Sequence, residues 1–306
     1  MSQISVSTSL NSMNNSYFSP IVAILLLSGV ATQAQSLSSG FMSGRKHGSV
    51  SVSGTQEWYQ QVYLVPEKIN DVPIFRRIQV KSVSLYANYG ITDKIEAVVS
   101  LPYVRSEGQA SAQILQNSPY TNVREGLQDV SGLLKFKGYS TEVGSSILNL
   151  LGVVSVSTPL SNYKSEQGLE YIIAIGNKAT KVSTAGIAHL QTASGVFVTG
   201  QAGYSLRSGR VPNAFIAETK VGYAGPRIYV DGWAAFQKSD NSGTDILQPG
   251  FDGDFTATRV DFARVGVSAF RPLAQGFGLV LGASTYVSGR NVGKSTGVTG
   301  GLAYNF

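Results

Sequence analysis

The chain has 306 residues, enough for one large domain, and it is rich in glycine (34 residues) but only 14% charged. A soluble domain carries about a quarter charged residues, and a helical membrane protein concentrates its apolar residues in runs of about 20, which this sequence lacks. The absence of cysteine excludes disulfides and thiolate chemistry. The net charge of +6 is not arranged as a basic stripe interleaved with aromatic residues, so no nucleic-acid partner is expected.

Residues 1–34 are predicted to be a secretory signal peptide. A short apolar run at residues 21–27 (IVAILLL) is followed by small residues that end at Ala34, the arrangement of a hydrophobic core and its cleavage site. The run is too short to cross about 30 Å of hydrocarbon as an anchor. No lysine or arginine precedes it, and Met13 is an alternative start. We expect cleavage near Ala34, a flexible periplasmic lead-in over residues 35–49 and a barrel domain over residues 50–306.

From residue 50 onward the sequence consists of extended segments separated by turns and polar loops. Within each segment apolar residues recur at every second position, which is the period of a β-strand. The predicted strands are residues 50–65, 78–89, 95–103, 130–136, 148–156, 169–175, 196–206, 215–223, 228–236, 263–269, 277–283 and 293–306. Residues 177–194 fit this pattern poorly and are interpreted as a long turn, a short helix or an extension of the flanking strands.

The connections between these strands alternate in length. Short turns are predicted near residues 90, 139, 224 and 271, whereas residues 105–126 and 238–255 on the opposite side form long loops. An even number of strands with short turns on one side and long loops on the other is typical of bacterial outer-membrane barrels. The loop at residues 105–126 is also a candidate for a constriction of the lumen.

The two faces of the strands differ in charge, which favours a barrel over a soluble sandwich. On the last nine strands the apolar face carries no charged residue at its central positions, where lysine or arginine facing lipid would cost roughly 2–4 kcal/mol. The opposite face carries six charged residues that are predicted to line a wet lumen: Lys135, Lys137, Glu218, Lys220, Asp231 and Arg264. The predicted fold is therefore all-β, a closed antiparallel transmembrane β-barrel of about 12 strands, bathed by outer-membrane lipid.

The last predicted strand has Val298, Leu302, Tyr304 and Phe306 on one face. A terminal strand that ends in phenylalanine, with an aromatic residue two positions before, resembles the closing strand of bacterial outer-membrane barrels. In those proteins it serves as the signal for assembly. The resemblance implies that Tyr304 and Phe306 are read by the barrel-assembly machinery of a Gram-negative outer membrane.

Three segments carry a further resemblance: residues 89–104 (YGITDKIEAVVSLPYV), 125–139 (EGLQDVSGLLKFKGY) and 148–160 (LNLLGVVSVSTPL). They resemble the transporter-like barrels of the MetA pathway of phenol degradation, although Gln128 stands where the Gly-Leu-Gly-Asp motif has its second glycine. The likeness covers the first half of the chain in sequence and the second half only in architecture. It implies an outer-membrane channel through which small compounds, including hydrophobic or aromatic ones, pass passively along the lumen.

Two other classes of function fit the sequence less well. A hydrolase needs a histidine beside its partner at the external rim, and the only histidines are His47, in the lead-in, and His189, assigned to a periplasmic turn. Asp240, Asp245 and other acidic residues of the loop 238–255 offer oxygen ligands, but without the spacing of a calcium-binding loop. No catalytic residue, cofactor or metal is therefore predicted. A structural or adhesive barrel that binds a partner through this loop remains the main alternative.

Overall fold

The computed structural model describes residues 39–65, 68–70, 72, 75–117, 121–165, 168–246 and 248–306. They form a closed antiparallel barrel. Its strands are β1 (Gly48–Tyr59), β2 (Arg77–Thr92), β3 (Ile95–Gln109), β4 (Val123–Leu127 and Asp129–Val143), β5 (Ser146–Pro159), β6 (Lys181–Thr192), β7 (Val196–Arg207), β8 (Ala214–Ala224), β9 (Tyr229–Ser239), β10 (Asp261–Pro272), β11 (Phe277–Arg290) and β12 (Thr296–Asn305). The signal peptide and its cleavage near Ala34 lie outside the described residues.

Each strand pairs with its neighbours along the chain, and β12 pairs back onto β1 from Ser49↔Asn305 to Trp58↔Thr296. The two parts of β4 both pair with β3 and are separated only at Gln128, so they occupy one position in the ring and the barrel has twelve strands. The ring leaves no open edge, which is the condition for a sheet to lie in hydrocarbon. The predicted fold class is confirmed.

The two ends of the barrel differ. One end, here called the turn end, has the short connections 93–94, 144–145, 193–195, 225–228 and 273–276. The other, here called the loop end, has the longer ones 60–76, 110–122, 160–180, 208–213, 240–260 and 291–295. It also carries the helix Ala112–Asn117 and a small sheet of Val62–Tyr63, Lys68–Ile69 and Val292–Gly293. The predicted alternation of short and long connections is confirmed.

One predicted strand is misplaced. Residues 169–175 lie in and after a 3-10 helix, Gly168–Ile173, and the strand at this position of the ring is β6, which falls within the stretch 177–194. The outward positions of β6 include Thr184, Gly186 and Ala188, so its apolar alternation is weak. Ile173 and Ile175 are instead buried inside the loop end of the barrel. The number of strands is unchanged because one segment replaces the other.

The outer surface of the strands is apolar. Outward side chains such as Val221 and Leu302 are 55% and 56% exposed on the isolated chain, and similar residues occur on every strand. Such exposure is costly in water but suits contact with lipid tails. Within the described ranges no helix is long and apolar enough to cross a membrane.

The expectation of a flexible lead-in is wrong for its described part. Residues 39–47, here called the N-terminal segment, lie at the turn end, where Phe41, Met42 and Ser43 are buried inside the barrel and residues 45–47 are exposed. The segment lacks periodicity because it is neither strand nor helix. It is held by its two large apolar side chains, which pack against inward residues of distant strands.

Candidate functional site

The lumen is lined by the inward side chains of the strands. Five of the six predicted lining residues are buried inside the barrel: Lys135, Glu218, Lys220, Asp231 and Arg264. Lys137 has the same inward parity as Lys135 and is half-buried. All six side chains lie on the inward-facing positions of their strands, because alternation along a strand fixes which side chains point inward.

Most of these charged side chains are buried and paired instead of lying exposed to water along the lumen. Lys135 and Arg264 are only 1% and 2% exposed, and both are ion-paired. Lys135 Nζ lies 2.7 Å from Glu96 Oε1, and Arg264 Nη2 lies 2.7 Å from Glu57 Oε1. Buried charges are stable only when paired and hydrogen-bonded, so the acidic partners are as important to the interior as the cations. Glu57 was not among the predicted residues.

The remaining inward charges form a second group across β7, β8 and β9. Lys220 Nζ lies 3.1 Å from Glu218 Oε1, which also accepts a hydrogen bond of 2.7 Å from Gln201 Nε2. The Tyr229 hydroxyl donates to Asp231 Oδ2 at 2.6 Å. Inward polar side chains of β7, β8 and β9 therefore pair with one another inside the barrel.

At the turn end, the Lys135–Glu96 pair binds the N-terminal segment from both sides. Lys135 Nζ donates to the carbonyl oxygens of Ser39 (3.1 Å) and Phe41. Glu96 Oε2 accepts hydrogen bonds from the backbone N–H and the hydroxyl of Ser43, at 2.6 and 2.5 Å. Each charge of the pair thus satisfies part of its hydrogen-bonding capacity on the segment itself, which fixes the segment across the lumen.

Apolar packing closes the rest of this opening. The Phe41 ring lies 4.3 Å from His189, 5.0 Å from Phe197 and 6.2 Å from Tyr229, measured between ring centroids. Met42 packs in a separate cluster with inward aliphatic residues of β5 and β6. The approach is close: a Cβ added at Gly40 would lie 2.3 Å from His189 Nδ1.

The prediction that His189 lies in a turn is wrong: it lies in β6, with its ring inside the barrel. Its Nδ1 lies 2.7 Å from the Thr199 hydroxyl, and no hydrogen bond joins it to a carboxylate in the described part of the chain. A histidine that acts as a base in hydrolysis is oriented by a third group and is accessible to substrate. His189 instead packs between Phe41 and Phe197.

At the loop end, residues 160–165 and 168–180 fold into the barrel and narrow it, with Tyr163, Ile173 and Ile175 buried. The Tyr163 hydroxyl donates to Asp129 Oδ1, and the Gln128 side chain donates to the carbonyl oxygen of Ile175. Gln128, which stands where the Gly-Leu-Gly-Asp motif has its second glycine, therefore contacts this connection.

The loop predicted at residues 105–126 is shorter in the structure, because Arg105 belongs to β3, where it forms an exposed pair with Glu125. That this loop constricts the lumen stays a prediction.

Between this connection and the strands on the far wall lies a cavity of about 320 Å³, here called the aromatic cavity. Among the described residues, five aromatic ones line it: Tyr59, Tyr171, Phe255, Phe262 and Tyr286. Tyr171 and Phe255 stack with their ring centroids 5.3 Å apart, and Phe262 meets Tyr286 edge-on at the same distance. Its polar lining consists of Gln128, Asn177, Lys181, Arg207, Gln237 and Asn291. A cavity of mostly apolar lining with a few polar groups is typical of a small-molecule site.

The connection 240–260 covers this cavity and is fastened by Asp245. This buried carboxylate accepts hydrogen bonds from Arg290 Nε (2.6 Å) and Nη2 (2.5 Å), Arg259 Nη2 (2.7 Å) and Asn291 Nδ2 (3.0 Å). Hydrogen bonds from Arg290, and then from Arg259 and Asn291, hold the pKa of the Asp245 carboxyl well below its usual range. The acidic loop is therefore tied to the hairpin of β11 and β12.

We expect Asp245→Asn to loosen the cover. Hydrogen bonds to charged groups contribute roughly 1.5–3 kcal/mol each, so amide exchange in residues 240–260 is expected to rise severalfold, as measured by hydrogen–deuterium exchange mass spectrometry. Because the pKa of Asp245 is lower in the folded state than its unfolded value of about 3.9, the stabilisation is fully present above that value and is lost only as the pH falls through the lower folded pKa. Intrinsic-rate-corrected protection of the wild type is therefore expected to be equal at pH 5 and pH 8.

The matched control is Asp252→Asn. Asp252 Oδ2 lies 2.6 Å from Arg210 Nη2, a distance similar to those at Asp245, but both side chains are about half-exposed. Exchange over residues 240–260 is expected to change little, because exposed pairs contribute about 0–1 kcal/mol. Equal exchange in the two variants would contradict the role given to Asp245.

The other acidic residues of this loop are also engaged by the protein. Arg210 lies 2.6 Å from Asp252 Oδ2 and 3.1 Å from Asp254 Oδ2, and Asp240 accepts a hydrogen bond from the Ser242 hydroxyl. In the described part of the chain no three histidine or acidic side chains are grouped so as to hold a metal ion. The loop carboxylates thus bind arginines of the loop itself, of the connection 208–213 and of β11, and a hydroxyl group of the loop.

Tyr304 and Phe306 lie on the outer surface at the turn end. Both side chains are nearly half-exposed, and the Tyr304 ring lies 5.0 Å from Phe277 and 6.3 Å from Phe306. They form an aromatic patch at the seam where β12 meets β11. This position is compatible with an interfacial aromatic girdle.

No protein-family model matches the chain, and no curated protein matches it in sequence. Among solved structures, an outer membrane channel from Pseudomonas putida F1 is similar with a TM-score of 0.66 and 15% identity, over 86% of this chain and 96% of that chain. The translocator domain of the autotransporter NalP from Neisseria meningitidis has a TM-score of 0.44 and 10% identity, over 86% of this chain and 89% of that chain. Outer membrane phospholipase A from Escherichia coli has a TM-score of 0.41 and 9% identity, over 84% and 92% respectively. The chain therefore shares the fold of an outer-membrane channel barrel.

Proposed function

We propose that this protein is a bacterial outer-membrane channel for small compounds, hydrophobic or aromatic ones among them, and that it belongs with the transporter-like barrels of the MetA pathway of phenol degradation. The observation that carries the proposal is the aromatic cavity enclosed within a barrel whose outer surface is apolar. The structural likeness to the outer membrane channel of P. putida supports it through the fold.

The proposed route begins at the loop end. A solute would enter beneath the connection 240–260, bind in the aromatic cavity and then meet the packed middle of the lumen. The N-terminal segment closes the turn end, so passage along the barrel axis requires this segment to move. Lys135, Lys137, Glu218, Lys220, Asp231 and Arg264 are then the wall charges that a solute passes once the segment is displaced.

The proposal places the turn end in the periplasm, because bacterial barrels have short periplasmic turns and long external loops. It includes export by the signal peptide, cleavage near Ala34 and delivery to the barrel-assembly machinery through Tyr304 and Phe306. No residue is assigned a catalytic role, and no cofactor is assigned.

The test uses purified, folded protein in planar bilayers and in liposomes. Discrete conductance steps are expected, together with faster liposome swelling in phenylalanine than in the similarly sized but aliphatic glutamine. Sugars should enter more slowly than either, and liposomes without protein set the baseline. A folded barrel that gives neither conductance steps nor swelling would overturn the proposal.

A further inference from the structure

We propose that the aromatic cavity binds a single-ring aromatic carboxylate, with Arg207 as the partner of the carboxylate. This inference rests on the proposed function, since it names the class of solute that the same cavity would take. It goes further in assigning a charge to the solute, which passage of hydrophobic compounds does not require.

The first argument is the charge of the cavity wall. The described residues that line the cavity include two cations, Lys181 and Arg207, and no carboxylate. Lys181 is neutralised by Asp129, with Nζ 3.0 Å from Oδ2. Arg207 lies within 4 Å of no carboxylate in the described ranges, so its charge is the one that the wall leaves uncompensated.

The second argument is the state of the Arg207 guanidinium. Its Nη2 donates to Gln237 Oε1 at 2.7 Å, but its buried Nε has no hydrogen-bond partner among the described residues. A buried donor without a partner costs free energy, and a carboxylate accepts from two guanidinium N–H groups at once. The geometry of arginine therefore suits a carboxylate better than a neutral oxygen.

Arg207 is also held in place before any ligand arrives. Gln237, which accepts its hydrogen bond, is fixed in turn by donating from Nε2 to the carbonyl oxygen of Val260 at 2.6 Å. The backbone N–H of Arg207 donates to Asn213 Oδ1 at 2.8 Å. Asp240, whose negative charge acts on Arg207 from a greater distance, is engaged by Ser242 and Tyr204. A fixed cation loses little conformational freedom on binding an anion.

The third argument is the shape and chemistry around this cation. The stacked pair of Tyr171 and Phe255 and the edge-on pair of Phe262 and Tyr286 present rings to the cavity, and aromatic rings pack well against a planar ring. At about 320 Å³ the cavity lies at the small end of the range of roughly 300–1,000 Å³ for ligand sites. One ring with one carboxylate fits these limits.

The experiment is isothermal titration calorimetry of the folded protein in detergent, with empty micelles as the blank. The probes are benzoate, its neutral analogue benzamide and the non-aromatic cyclohexanecarboxylate. Benzoate is expected to bind at least about tenfold more tightly than either analogue, and Arg207→Gln to weaken benzoate by at least about tenfold while leaving benzamide unchanged. The control is Arg227→Gln, which removes an exposed arginine at the turn end and should change no affinity.

Equal affinity of the wild type for benzoate and benzamide would overturn the inference, and this comparison needs no variant. Loss of benzoate binding in Arg227→Gln as well would also overturn it, because the effect would then be one of overall charge. Variants are compared only when they keep the heat-dependent gel shift of a folded barrel. If the protein conducts but does not bind benzoate, this inference is refuted and the channel proposal stands. If a folded barrel binds benzoate but gives no conductance, the channel proposal is refuted and this inference stands.

Discussion

Deleting residues 39–46 is expected to raise the unit conductance of the barrel severalfold. The deletion removes Phe41 and Met42, which fill the turn end, and frees the Lys135–Glu96 pair from its hydrogen bonds to the N-terminal segment. The barrel strands begin at Gly48 and stay intact, so the variant should fold. Single-channel recording in planar bilayers measures the change.

The control is Arg45→Gln, which alters an exposed side chain of the same segment and leaves the packing of Phe41 untouched. Its conductance is expected to equal that of the wild type. If the deletion variant is folded and still conducts like the wild type, the segment does not limit the flow of ions and the closing role given to it is wrong.

The second large effect is expected from Lys135→Met, which leaves Glu96 buried without its cation. Removing one partner of a buried pair costs about 3–5 kcal/mol, because the remaining charge is neither solvated nor compensated. Both side chains are almost fully buried, at 1% and 2% exposed, so solvent screening does not reduce this figure. Urea unfolding in detergent micelles, followed by tryptophan fluorescence, measures the free energy.

Two further variants separate the buried charge from other effects. Arg105→Gln breaks a pair of nearly the same N–O distance, 2.6 Å, but with side chains 43% and 45% exposed, and should cost less than about 1 kcal/mol. Adding Glu96→Gln to Lys135→Met removes the uncompensated charge and should recover part of the loss. If Lys135→Met alone is as stable as Arg105→Gln, water reaches Glu96, and the interior is better hydrated than the low exposure of this side chain indicates.

The barrel itself could be predicted from the sequence because alternation is local information. A strand with one face in lipid must keep charge off that face, and the same rule places Lys135, Glu218 and Arg264 on the inner face without knowledge of their neighbours. The ion-pair partners of Lys135 and Arg264 could not be predicted in the same way, because they lie on strands that are distant in sequence. Glu57 meets Arg264 only after the ring closes, so nothing in the local sequence around either residue indicates the pair.

Two of the wrong predictions, the strand at residues 169–175 and the flexible lead-in, share a physical cause. Residues 169–175 alternate like a strand, but Ile173 and Ile175 use their apolar side chains to fill the barrel mouth, against inward residues of β2 and β3. The N-terminal segment looks like a polar tail because its stabilising contacts, with Leu151, Ile187 and Phe197, lie more than a hundred residues away. A signal was nevertheless present, since Phe41 and Met42 are adjacent large apolar residues in an otherwise Ser/Gly-rich stretch.

The pairing of β1 with β12 gives this protein a high contact order, because nearly every described residue lies between these two strands in the sequence. Contacts that distant in sequence form slowly, because the entropy of closing the intervening loop opposes them until the ring is complete. β1 cannot pair with its second neighbour until β12 has been synthesised. Truncation within β12 is therefore expected to leave β1 and β11 each unpaired on one side and the ring open.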